Sequence, residues 1–119
     1  MGYIEKTLNI GGQEVSFRAS AASPRFYRNI FGRDIIKDMT VLTNSVGPDG
    51  SIEVESLELF ENLAYCFARQ AAKAHGTEIP NDPDDWLDQF EMFSIYEILP
   101  ELLELWGRNM ATMVPPKKK

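Results

Sequence analysis

Apolar and polar positions alternate along the first twenty residues. Ile4, Leu8 and Ile10 share one parity, with Glu5, Thr7 and Asn9 on the other. Beyond Gly11-Gly12, Val15, Phe17 and Ala19 alternate with Glu14, Ser16 and Arg18. A period of two predicts strands, and the paired glycines supply the positive φ angles of a tight turn, so 3–20 reads as a β-hairpin. Two strands alone are marginally stable in water. One face of the hairpin must therefore pack on helices or on another subunit.

After Ala22 the period lengthens. Ser23-Pro24 offers an N-cap serine and a proline at the first helical position. Tyr27, Ile30, Phe31, Ile35, Met39 and Leu42 then form one helical stripe, with Gly32 inside it as a break or kink. Turn chemistry at Gly47-Pro48-Asp49-Gly50 predicts a loop from Asn44 to Ser51. Residues 55–75 are helical again on Leu59, Phe60, Leu63, Phe67 and Ala71, and Gly76 stops them. Asp82-Pro83-Asp84-Asp85 starts a further helix with Trp86, Leu87 and Phe90 as its apolar face. Ser94-Ile95-Tyr96-Glu97 matches a capping box and opens the last helix through Ile98, Leu99, Leu102, Leu103 and Trp106, kinked where Pro100 cannot donate to Tyr96. The expected fold is mostly α (α+β): an N-terminal β-hairpin (3–20) followed by a bundle of four to five helices within 24–110. It forms a single domain over 1–112, and 113–119 reads as a flexible basic tail.

Charge changes this picture in one respect. The 119 residues carry 18 acidic and 12 basic side chains, net −6. Residues 1–40 are net +2, 41–80 net −4 and 81–116 net −7, with Lys117-Lys118-Lys119 returning +3. An acidic body repels a phosphate backbone, so nucleic acid is not an expected partner. No apolar run approaches the ~20 residues of a membrane span. The start, Met1 to Lys6, lacks a basic stretch followed by an apolar one, so no secretory leader is expected. The single cysteine, Cys66, has no internal disulfide partner, which suits a reducing cytoplasm.

The residues give little support for catalysis or metal binding. His75 and Cys66 are the only residues of their kinds, too few for a zinc site. His75 next to Gly76 fits a helix C-terminus, and Cys66 beside an apolar stripe fits a buried hydrophobe. Asp82, Asp84, Asp85, Asp88 and Glu91 are acidic enough for calcium. Counted from Asp82, however, Leu87 stands where an EF-hand needs glycine. The glycine clusters match no phosphate-binding loop. No cofactor is expected, and an enzyme centred on Cys66 and His75 is the weakest reading. Arg25 and Arg28, one face of a helix interleaved with Phe26, Tyr27 and Phe31, together with Arg33, leave two uses open. They could make a small nucleic-acid-binding regulator, or they could pair with the acidic Asp82–Glu91 segment of a neighbouring subunit in head-to-tail association.

A family resemblance favours the second class. The run Val15 to Arg28, then Phe31-Gly32-Arg33-Asp34-Ile35, resembles the tail assembly chaperones of long-tailed (siphovirus-type) phages and prophages of Gram-positive bacteria. The likeness continues through Leu59 to Tyr65, Trp86 to Phe90, Phe93 to Pro100 and Leu105-Trp106, in order over most of the chain. It implies a non-enzymatic protein that binds the hydrophobic tape measure protein in the host cytoplasm, keeps it soluble during tail tube assembly, and is absent from the mature virion. It also implies a longer frameshifted product that would engage the tail tube protein. Lys117-Lys118-Lys119 suits a slippery adenine-rich run or a plain solubilising tail. The resemblance assigns no partner contacts to positions. Phe17, Arg25, Phe26, Tyr27, Arg28, Tyr96 and Trp106 are the residues expected to serve the client or a homo-oligomer, ring or helical, with core packing the competing role of each aromatic.

Overall fold

The computed structural model describes residues 3–45 and 53–113. Strands β1 (Tyr3–Ile10) and β2 (Gln13–Ser20) pair antiparallel, with Ile4 opposite Ala19, Lys6 opposite Phe17 and Leu8 opposite Val15. Gly11 (φ +58°) and Gly12 (φ +94°) make the turn, closed by the Gly12 amide donating to Asn9 Oδ1 at 2.8 Å. The strands are followed by α1 (Ser23–Phe31), α2 (Ile35–Ser45), α3 (Val54–His75), α4 (Pro83–Leu87), a 3-10 helix (Ser94–Ile98) and α5 (Leu99–Met113). A hairpin followed by five α-helices is the predicted architecture.

Helix α3 is its axis. Residues 63–68 are buried without interruption, so this stretch is covered on all sides rather than along one stripe. The hairpin, α1, α2 and α4 all pack against it. The parity of Ile10, Phe17 and Ala19 is the hairpin's core face, as the alternation predicts. On the opposite parity Glu5 pairs with Arg18 at 2.9 Å, and the hydroxyls of Thr7 and Ser16 meet at 3.1 Å. Lys6 reaches from β1 to Glu101 (2.6 Å) and Glu104 (2.8 Å) and latches the hairpin to α5.

Two helix starts differ from the sequence reading. Ser23 is not the N-cap of α1: Ala22 holds that position with no side-chain bond, and Ser23 is the first helical residue. Its hydroxyl is spent elsewhere, accepting from the Ser20 amide at 3.0 Å and donating to Gln70 Oε1 at 2.7 Å. A buried hydroxyl needs such partners, and these tie the end of the hairpin to α3. Ser94 likewise makes no capping box; it is buried, and Phe93 precedes the 3-10 helix without a side-chain cap bond. Pro100 does not kink a long helix. It sits in the first turn of α5, where its missing N–H has no helical partner to lose. Gly32 (φ +69°) and Gly76 (φ +70°) do end α1 and α3, and Asp82 caps α4 through the Asp84 amide. Of the loop expected over 44–51, Asn44 and Ser45 belong to α2 and residues 46–51 lie outside the described residues, as do residues 114–119 of the basic tail.

Candidate protein-binding surface

Three of the residues expected to meet a partner lie in the interior. Phe17 is fully buried and meets Trp86 edge-on, with ring centroids 6.4 Å apart. Trp106 stacks on Phe67 at 6.5 Å and 22°. Tyr27 is buried, and its hydroxyl donates to Asp38 Oδ2 at 2.7 Å. The same carboxylate receives two bonds from Arg33, at 2.7 and 2.9 Å. Burial, then the bond to Asp38, pushes the Tyr27 phenol well above its ordinary range. The Arg33 guanidinium holds the Asp38 carboxyl below the usual carboxylate range. Arg33 is thus a clamp that spans the Gly32 break and fixes α1 against α2. Of the three arginines considered for nucleic acid, it is the one already committed.

Of the other four, Arg25 and Arg28 lie at the surface, and Phe26 and Tyr96 are half-buried against the core. Arg25 and Arg28 are exposed on α1 and make no ion pair among the described residues. Phe26 is half-buried, with the Lys73 ammonium 5.5 Å from its ring centroid. It borders a groove of about 740 Å³ between α1, α3 and residues 77–81. Phe26, Ile30, Ala72 and Ile79 give this groove an apolar lining, while Arg69 and Lys73 add positive charge and Glu78 is its acidic residue. Tyr96, by contrast, is pinned: its hydroxyl donates to Glu61 Oε2 at 2.5 Å, and that bond, then burial, pushes the phenol up to about 12.

The strongest apolar exposure falls on residues that periodicity passes over. Met92 and Phe93 are 76% and 71% exposed in the segment between α4 and the 3-10 helix. The signal in the sequence is a pair of large apolar residues outside any stripe, directly after Glu91. On α2, Ile36 and Val41 are nearly half exposed. Ile36, Met39, Thr40, Thr43, Asn44 and Trp106 surround a shallow hollow of about 200 Å³ without a charged side chain in its lining.

Cys66 and His75 are not brought together. They stand nine residues apart on one helix, about 13 Å of rise. The Cys66 thiol is buried against the Ser23 carbonyl at 3.8 Å, and burial pushes it up to about 12. His75 instead meets Glu5 on the hairpin at 2.5 Å. Burial raises the Glu5 pKa, but its bonds to Arg18 and His75 outweigh that and leave it below the ordinary value. Among the described residues, no three His, Cys, Asp or Glu side chains are grouped to hold a metal ion. No described helix is long and apolar enough to cross a membrane. No protein-family model, curated protein or solved structure matches the chain.

Proposed function

We propose that the chain is a non-enzymatic assembly chaperone of phage tails that binds the tape measure protein and keeps it soluble while the tail tube forms. The observation that carries this reading is the outer face of α2. On a chain of net −6, it presents nearly half-exposed Ile36 at a hollow whose lining, which includes Trp106, carries no charged side chain, with nearly half-exposed Val41 further round the helix. Exposed apolar side chains near an uncharged hollow on a strongly acidic protein suit a hydrophobic client: they make the contact and the remaining surface keeps the complex in solution. The fully buried Cys66 and the short polar network at Tyr27, Arg33 and Asp38 fit a scaffold role, with no reactive thiol at the surface. The resemblance in sequence, spread over the hairpin, α1, α3, α4 and the last helices, points the same way.

The test is co-expression with the cognate tape measure protein. The wild-type chain is expected to bring the client into the soluble fraction. Ile36→Asp with Val41→Asp should fold normally and leave the client in the pellet. Equal client solubility with the wild type and this variant would move the client off α2, and an insoluble client in both would remove the chaperone reading.

A further inference from the structure

We infer that the edge of β2 at Glu14–Ser16 takes an extended segment of a partner protein as a third strand, one in which lysine or arginine alternates with small apolar residues. The inference concerns this edge alone and does not depend on the chaperone reading.

The backbone carries the first argument. Along an antiparallel pair, successive residues direct their N–H and C=O groups alternately toward the paired strand and away from it. The Ser20 amide is spent away from β1, on the Ser23 hydroxyl at 3.0 Å. Glu14 and Ser16 share its parity, so their amides and carbonyls also face away from β1. Unlike the Ser20 amide, they have no partner from another element among the described residues. An uncovered strand edge is a template for pairing with another chain.

This edge opens into a cavity of about 580 Å³. Gln13 and Val15 line it from one face of β2, Glu14 and Ser16 from the other, with Ala72 and Ile79 across from them. A cavity that touches both faces of a strand lies at its edge. Its far wall, residues 77–80, is neither helix nor strand.

Side chains select the occupant. Glu14 on β2 and Glu78 on the facing segment are exposed and make no ion pair among the described residues. His75 also lines the cavity, but it is spent on Glu5, and the lining holds no lysine or arginine. A strand added to β2 continues its pleat. One set of its side chains falls beside Glu14 and suits a cation; the alternate set falls beside Val15, Ala72 and Ile79 and suits a small apolar group. A second copy paired through the same edge would bring its own Glu14 there, and like charges oppose that.

The test uses the full chain and a short synthetic peptide of alternating lysine and valine, blocked at both ends and followed by fluorescence anisotropy. The wild type is expected to bind it. Glu14→Lys with Glu78→Lys should bind about tenfold or more weakly. Glu58→Lys with Glu97→Lys makes the same charge change at exposed positions outside the cavity, and should bind near wild type. All four positions are on the surface, so far-UV circular dichroism and Tm should stay near wild type. The peptide N-methylated at every amide keeps its charge but cannot donate to β2, and should also bind about tenfold or more weakly. Hydrogen exchange read by NMR locates the contact: the Glu14 and Ser16 amides should exchange faster than that of Val15 in the free chain, and slow at saturating peptide. A peptide that does not bind overturns the inference. So do equal binding by the two charge variants, equal binding of the N-methylated peptide, or Glu14 and Ser16 amides that stay unprotected, each of which reduces the contact to attraction between a cation and an acidic chain.

Discussion

A Cβ placed on Gly11 would lie 3.0 Å from the Ser94 hydroxyl oxygen, so the hairpin turn rests directly on the start of the 3-10 helix. This contact fixes the segment that carries Met92 and Phe93 to the tip of the hairpin. Gly11→Ala meets both a left-handed φ of +58° and this close approach, and is expected to cost about 1–2 kcal/mol. Ser94→Ala alone should cost less than about 1 kcal/mol. The double variant should be more stable than the sum of the two losses, because removing the hydroxyl opens space for the new methyl. Urea unfolding of the four proteins measures the coupling; strict additivity would show that only the backbone conformation matters at Gly11.

Asp38 is the second place where one residue holds two elements. Asp38→Asn keeps the shape but removes the charge that Arg33 and the Tyr27 hydroxyl share, and is expected to cost about 2–3 kcal/mol at pH 7. The sign of the pH dependence follows from the direction of the shift. The folded-state pKa lies below the ordinary 3.8, so the stabilisation is present above that value and is lost as pH falls through the lower, folded-state value. Glu5 contributes in the same acidic window in both proteins. The stability gap between wild type and Asp38→Asn should therefore narrow on acidification, as read by urea unfolding at a series of pH values. A gap of constant size down to pH ~2 would mean that the carboxylate's charge is not what stabilises the clamp.

Core and surface aromatics should part company in a stability assay. Phe17→Ala empties a fully buried site against Trp86 and is expected to cost about 3–5 kcal/mol. Phe93→Ser, on a 71% exposed side chain, should change stability by less than about 0.5 kcal/mol. Thermal unfolding of both variants checks the pair, and a large loss at Phe93 would place that ring in the core.

The fold was largely legible because its signals are local. Alternation about Gly11-Gly12 set the hairpin and its inner face, and the 3.6-residue stripes, with glycine at positions 32 and 76, set α1 to α3. The reading failed where a side chain answers to a distant partner. Ser23 has the sequence of a cap, but its hydroxyl is claimed by Gln70, 47 residues away. Ser94 has the sequence of a capping box, but it is packed under Gly11. Surface assignment suffered for the same reason. Nothing in the periodicity of Tyr27 or Arg33 announces Asp38 as their common partner, and Phe17 carries no mark separating a core aromatic from a binding one. Met92 and Phe93 escaped attention because stripe analysis rewards periodic residues, and an exposed pair between two short helices belongs to no stripe.

Cys66 gives a further check on the packed core around α3. With its thiol pushed up to about 12 by burial, it should resist iodoacetamide at pH 8 in the native chain and react readily in urea. The native labelling rate is expected to be about a thousandfold slower and to follow global unfolding. Rapid native labelling would mean that α3 opens locally.

The most direct test of the chaperone account is the light-scattering mass of the soluble material obtained by co-expressing this chain with its cognate tape measure protein. The account predicts one co-eluting complex containing the client and several copies of this chain. A tape measure protein that stays in the pellet while this chain elutes alone would contradict it.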